Sequence, residues 1–334
     1  MKPFTYAAAS SLEDVVGALD EGCRPLAGGT DLLGLMKTGI RGPERLVSLK
    51  SIEALEGVER REDGWRIGAL TTLSELASPA RGGEQRELEV LSRAAAESAS
   101  PQLRNAATIG GNLLQWPRCW YFRNWLTRCW LKGGDRCLAA GGENRYHAIL
   151  GAARCHMVHP SDPAVALAAL DARVELRGVH GVRTLKIDAF FGEPKPLREN
   201  GTVVERDEVI TAVVVPRPSR ESRGVYVKLA ERKVWDFALV SAAVQIEMTE
   251  GAVTDAAIVL GGVAAKPWHA FEAEGRLVGE ALTGTAMEAA ASAATAGAVS
   301  LSQNGYKIEL AEGAVREALR RLQRTFGSES TGVG

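Results

Sequence analysis

The stretch from Thr108 to Asp162 limits what this 334-residue chain can fold into more than any other part of it. It holds four of the five cysteines (Cys119, Cys129, Cys137, Cys155), four of the seven tryptophans and three of the five histidines. The cysteines run C-x9-C-x7-C-x17-C, and Gly133-Gly134 and Gly141-Gly142 lie between them. Such spacing reads as loop, not as helix or strand. Thiolates are soft ligands, and four of them suit tetrahedral zinc or an iron–sulfur cluster. Zinc sites usually show tight C-x2-4-C pairs. No pair here is tight, which favours a larger object reached from several loop points; four unrelated buried thiols are the third reading. Trp116, Trp120, Trp125 and Trp130 either shield such a group or form ordinary core or interface. Arg118, Arg123, Arg128 and Arg136 can offset its negative charge, and His147, His156 and His159 stand by as substitute ligands. Cys23, far from the others, reads as an inert buried thiol.

The formal net charge is −1, with 46% hydrophobic and 24% charged residues. No global field favours nucleic acid or a membrane surface as partner. The length suits two domains with separate cores. The start, MKPFTYAAASSLEDVV, has no continuous apolar segment of the signal-peptide kind, and no apolar run reaches spanning length. An odd cysteine count with this clustering favours metal or cluster binding over a disulfide framework.

Two glycine turns frame the N-terminal part. Ser11–Asp14 reads as a capping box ahead of an amphipathic helix, Leu12, Val15, Val16, Leu19. A short extended piece then leads to Gly28-Gly29-Thr30-Asp31 and the helical Leu32–Lys37. Backbone N–H groups freed at such a turn can point at a phosphate, and glycine lets it approach closely. The plain alternative is a tight turn before a helix. The second turn, Thr108-Ile109-Gly110-Gly111-Asn112, repeats the pattern with a hydroxyl, so the two can grip one pyrophosphate from two sides. Neither is a GxGxxG or Walker loop. Between them, Arg45–Leu49 and Trp65–Leu70 read as strands, Thr71 or Thr72 caps a short helix, and a longer helix runs from Leu88 to Ser98. Mixed short elements in this order predict α+β layers, not a strict βαβ repeat. Asp162 is placed to cap the apolar helix Pro163–Leu170, or to take a ribose hydroxyl.

Further on, Arg173–Leu176, Thr184–Ile187 and Glu208–Val215 read as strands, the last stopped by Pro216 and Pro218. PRPSRESR (Pro216–Arg223) is the best linker. Three strands follow, Gly224–Ala230, Leu239–Met248 and Val253–Gly261, then helices over Trp268–Leu282, Met287–Leu301 and Glu312–Phe326. Lys228 lies just past the linker, either as a solvated strand charge or reaching into a cleft toward a flavin carbonyl or phosphate.

The ordered set LAGGTDLLGLMK, TIGGNLLQ, HPSDPAVALAALDA, DAFFG, DEVITAVVVP and YVKLAERKVWDFALVS resembles the FAD-binding (medium) subunits of molybdenum hydroxylases, the xanthine dehydrogenase family, over nearly the whole chain. The cysteine segment is most similar to the subgroup with an extra 4Fe-4S cluster, the flavin subunits of periplasmic aldehyde oxidoreductase and 4-hydroxybenzoyl-CoA reductase. The resemblance implies an α+β fold: a two-lobed vanillyl-alcohol-oxidase-type FAD-binding domain over 1–218 carrying an iron–sulfur insertion loop at 116–156. A small C-terminal domain, a three-stranded sheet plus helices, spans 224–326, and 327–334 is a disordered tail. It places FAD on Leu26, Ala27, Gly28, Gly29, Thr30, Asp31, Leu32, Leu33 and Gly34, on Thr108, Gly111 and Asn112, and on Asp162, with Ile187 packing on the adenine side and Lys228 near the isoalloxazine. Cys119, Cys129, Cys137 and Cys155 map onto cluster ligands. The implied role is electron transfer in a heterotrimer. A large partner subunit holds the molybdenum cofactor, a small one 2Fe-2S clusters, and electrons pass through FAD here to an external acceptor. No acid/base pair or nucleophile has a legible spacing, in keeping with that role. A zinc-stabilised scaffold, a stand-alone flavin enzyme, and a flavin subunit of 4-hydroxybenzoyl-CoA-reductase-like or xanthine-dehydrogenase-like type are the alternatives. The compartment implied is periplasmic, by co-export with a twin-arginine partner, or cytoplasmic.

Overall fold

The computed structural model describes residues 1–78, 83–196 and 201–330. Twelve strands occur among them: β1 (Thr5–Ala8), β2 (Cys23–Leu26), β3 (Arg45–Ser48), β4 (Val58–Arg61), β5 (Gly64–Gly68), β6 (Arg173–Gly178), β7 (Gly181–Lys186), β8 (Val209–Pro216), β9 (Ser222–Leu229), β10 (Val240–Thr249), β11 (Ala252–Gly261) and β12 (Trp268–His269). They form three sheets.

The first sheet is parallel, in the order β1-β3-β2, and its crossovers carry the helices Leu12–Ala18 and Leu32–Lys37. Ser11 and Asp14 form the expected capping box of the first helix. This small lobe is a βαβαβ unit after all. Its four-residue strands were too short to show a period that separates parallel from antiparallel use. The second sheet is antiparallel, β4-β5-β8-β6-β7. β8 holds its centre because its run Val-Ile-Thr-Ala-Val-Val-Val is apolar on both faces, and Pro216 ends it.

The helix Asp162–Ala169 joins the second sheet to the third. All eight of its residues are buried, which its apolar, alanine-rich sequence permits. One core contains this helix together with β5, β6, β8 and inward residues of the third sheet, Tyr226, Ala243 and Val259. The other face of the third sheet packs on the long helix Tyr306–Ser330 in a separate core. Its order is β12-β11-β10-β9, so it has four strands where three were expected. The fourth is a two-residue edge piece lying in the stretch read as a helix, Trp268–Leu282. There the helical part shrinks to Phe271–Glu274, ended by Gly275. Met287–Leu301 likewise narrows to Gly284–Ala293. At the other end the helix runs through 327–330, which were read as tail; only 331–334 lie outside the described residues. The linker also shrinks, because β9 starts at Ser222.

A half-buried and a buried histidine give the fold opposite pH responses. Burial lowers the pKa of His269, but Asp188 Oδ2 at 3.2 Å and Glu274 Oε1 at 3.4 Å outweigh it and hold the ring at about 9. A raised folded-state value means this contribution is complete below the ordinary 6.5 and lost as pH climbs through about 9. His159 has only burial acting strongly on it and falls to about 4, so its contribution is complete above 6.5 and lost as pH drops toward 4. Denaturant midpoints are expected to fall on both sides of neutral. His269→Gln should flatten the alkaline limb, an effect on the order of 1–3 kcal/mol. An unchanged alkaline limb in that variant would refute the assignment.

Candidate functional site

Two clefts flank the second glycine turn. The glycine cleft is lined by the unbroken run Arg24–Leu32 and by Thr108, Gly110 and Gly111; Thr202, Val204, Glu205, Arg206 and residues 208–210 of the β8 approach close the other side. Gly28 decides how its two turns meet. A Cβ there would stand 1.8 Å from the carbonyl oxygen of Ala106, so only glycine lets the first turn lie against the chain leading into the second. Gly29 has φ +70°, the left-handed region.

The turns differ in what they leave free. Among the described residues the N–H groups of Gly28, Gly29, Thr30 and Asp31 have no acceptor. In the second turn, Ile109 N donates to Thr71 O, Gly110 N to Ala69 O, and Gly111 N to Thr108 Oγ1, which caps the short helix Ile109–Leu113. The first turn therefore offers backbone donors, and the second offers packing and side chains. The donor-rich, Cβ-free wall fits a diphosphate. Leu33 and Gly34 line neither cleft, and Leu33 instead packs beside Gly29. Ile187, 1% exposed, sits in the main core and also lines neither.

The second cleft lies between the C-terminal sheet and residues 158–162. Asp162 is on its wall, together with His159, Phe237, Gly261 and Gly262. Ser161, not Asp162, caps the buried helix, its Oγ accepting from Ala164 N while donating to Asn112 Oδ1. Asn112 thus ties the second turn to this cleft. Asp162, freed from capping, is the hub of a buried polar group: Oδ1 accepts from the Tyr226 hydroxyl at 2.6 Å, and Oδ2 from Lys228 Nζ at 2.8 Å and Ser98 Oγ at 3.3 Å. Lys228 and Asp162 side chains are each 6% exposed. Lys228 Nζ also donates to the carbonyls of Glu97 and Asp236, so it braces the cleft from behind and is not a lining residue. Burial with Asp162 alongside drives the Tyr226 hydroxyl well above its ordinary range.

Removing one partner of a buried ion pair strands the other. Lys228→Met is expected to cost about 3–5 kcal/mol, and Lys228→Met with Asp162→Asn much less than the sum of the singles. Equilibrium denaturation of the four chains checks this; strict additivity would refute the coupling.

The cysteines come together beside both clefts. Cys119, Cys129, Cys137 and Cys155 line one small cavity with Phe122, Leu131, Leu138, Met157 and His147, and no carboxylate is among its walls. Burial pushes Cys119 up to about 11, and a thiol hydrogen bond between Cys137 and Cys155 holds the first down and the second up. His147 Nε2 lies 3.2 Å from Cys119 Sγ. A single tetrahedral ion with bonds of about 2.3 Å needs its sulfurs within about 4 Å of one another. Among the described residues no group of three or more His, Cys, Asp or Glu is gathered that way. The cavity therefore has four soft donors without the compact geometry of a one-ion site. Cys23 is apart from them, fully buried at the start of β2 in the first sheet.

Neighbouring residues divide their roles. Trp116 stacks on Phe122 in the cysteine core, whereas Trp125 is 69% exposed and shields nothing. Arg118 and Arg123 are drawn to Asp31, whose Oδ2 also accepts from Trp116 N, so the first glycine turn and the cysteine segment are bolted together. Arg128 and Arg136 are exposed. Sequence reading missed Ser98, which carries no motif, and gave no role to Tyr226, although it opens the segment YVKLAERKVWDFALVS. It also missed the loop rim at Trp235, which takes a left-handed φ of +57° without being glycine and donates its N–H to Ala99 O.

Comparisons with known proteins agree over nearly the whole chain. Residues 2–218 match the family model described as the FAD binding domain in molybdopterin dehydrogenase, and 225–322 match the CO dehydrogenase flavoprotein C-terminal domain. The chain is 38% identical to the aldehyde oxidoreductase FAD-binding subunit PaoB of Escherichia coli K12, over 83% of this chain and 86% of that one. It is 29% identical to the nicotinate dehydrogenase FAD-subunit of Eubacterium barkeri, over 86% and 84%. A solved structure of reconstituted CO dehydrogenase from Oligotropha carboxidovorans superposes with a TM-score of 0.76 at 28% identity, covering 97% of this chain and 99% of that one.

Proposed function

This chain belongs to the FAD-binding subunits of the xanthine dehydrogenase and CO dehydrogenase family, the molybdopterin dehydrogenases, and from that premise we propose that it is the FAD- and 4Fe-4S-carrying electron-transfer subunit of a heterotrimeric molybdenum hydroxylase of the aldehyde oxidoreductase type. The observation that carries the flavin part is the pair of packed glycine turns with unused N–H groups. Residues 26–32 with Thr108 and Gly111 hold the diphosphate, and Asn112, through Ser161, keeps that end in register with the other cleft. The flavin ring belongs in the second cleft, where Asp162, clamped by Tyr226 and Lys228, keeps a fixed carboxylate at the wall. Ile187 is then a packing residue of the core beneath. When bound, FAD supplies a carrier that accepts electrons and hands them on, while the protein sets its orientation and potential.

Four thiols converging on one apolar cavity support the cluster part of the proposal, through their softness and the absence of acids among the cavity walls. Partners would be a large subunit holding the molybdenum cofactor and a small one holding 2Fe-2S clusters; the aldehyde preference comes from the 38% relative. Among the described residues no helix is long and apolar enough to cross a membrane. The test is composition: the complex, purified anaerobically, should carry one flavin and about four irons with matching acid-labile sulfide on this chain. About one zinc without sulfide would support the scaffold reading instead, and neither flavin nor iron would sink the proposal.

A further inference from the structure

One buried cation takes no part in either cleft's lining. Lys307, in the first turn of the helix Tyr306–Ser330, is fully buried. Its Nζ donates to the carbonyl oxygens of Tyr146 at 3.3 Å, His147 at 3.0 Å and Gly262. Among the described residues no carboxylate pairs with it, and burial lowers it to about 7. Three carbonyl dipoles solvate an ammonium but do not neutralise it, so a charge kept here calls for an opposite charge nearby.

What Lys307 touches says where that opposite charge belongs. Gly262 lines the flavin-ring cleft; its φ of +72° and its closeness to the Ala238 and Leu239 carbonyls fix the turn. His147 lines both that cleft and the cysteine cavity, and its Nε2 reaches Cys119 Sγ. The backbone does not need a cation to stay in place. Asn304 Nδ2 already donates to the carbonyls of His147 and Ala148, each at 3.1 Å.

We infer that Lys307 is a positioning residue whose ammonium serves the flavin-ring cleft and the four-cysteine cavity together, favouring in each the form that holds the additional electron. This rests on the reading of the two cavities proposed above. Each arriving electron adds one negative charge, and no bond is made or broken at Nζ.

The test is a reductive titration of the full chain in its complex, followed by flavin and cluster absorbance, for Lys307→Arg, Lys307→Gln and Lys307→Met. Flavin and iron content should stay at the unmodified level. Both the flavin and the cluster midpoint potentials should move lower in the Gln and Met variants and stay in place with Arg. Gln still donates to the carbonyls, so a mere staple would leave it at the unmodified potential, and that result overturns the inference. Should Arg or Met fail to fold, Gln alone decides. An unmodified complex lacking flavin and iron overturns the cavity reading and this inference with it.

Discussion

Gly28→Ala is expected to leave a chain with little bound flavin. The added carbon would stand 1.8 Å from the Ala106 carbonyl oxygen and 2.7 Å from its carbon, and both belong to backbone that cannot swing aside like a side chain. The two glycine turns must part. Overpacking of this kind costs about 1–3 kcal/mol even where neighbours can adjust, and here the adjustment destroys the cleft. Gly29→Val strains the chain differently, by placing a β-branched residue at φ +70° against Leu26 and Leu33. Gly34 is the control on the same loop: it lies inside the helix Leu32–Lys37 with nothing within 4 Å of a Cβ. Gly34→Ala should keep its flavin and gain up to about 1 kcal/mol from helix propensity. The measurement is the flavin-to-protein ratio beside a thermal melt. Full flavin in Gly28→Ala removes the packing argument, and equal loss in Gly34→Ala would show that the loop tolerates no change at all.

The glycine turns were legible in the sequence because their physics is local. A GG pair, a hydroxyl and a helix start announce themselves within six residues, as do the Ser11 capping box and the Pro216 strand end. Asp162 shows the opposite. Its partners Ser98, Tyr226 and Lys228 stand 64, 64 and 66 residues away, and no local pattern pairs them with it. Locally it looked like a helix cap, but Ser161 took that place and left the carboxylate for the core. Asp31 likewise finds its partners at a distance: it heads a helix without capping it, and binds Arg118 and Arg123 across the cysteine segment. Strand β12 was hidden because two residues carry no period. Family resemblance grouped these residues as one candidate site, yet only the folded chain separated them into a donor-rich turn, a packing turn and a distant ionic hub.

Cys129→Ser should reduce iron and acid-labile sulfide to background while flavin stays near one per chain. A serine hydroxyl is a hard donor that keeps its proton at neutral pH, so it replaces the size of the thiol without its ligand chemistry. Cys129 is 6% exposed and lines only the cysteine cavity, not either flavin cleft, so its loss need not disturb FAD. Cys119 would be a poorer choice, since it and His147 line the cavity and the flavin-ring cleft alike. Cys23→Ala is the control, because Cys23 is buried in the first sheet among Val15, Val47 and Leu55. Iron must survive there if the four-cysteine assignment holds; its loss would mean that any buried cysteine change unfolds the chain. Unchanged iron in Cys129→Ser would remove the cluster from this cavity. The shared wall then gives the outcome its wider meaning. Cys119 and His147 line both cavities, so under the proposed reading a chain that loses iron but keeps flavin should still take up electrons at the flavin while losing any exchange that passes through that wall.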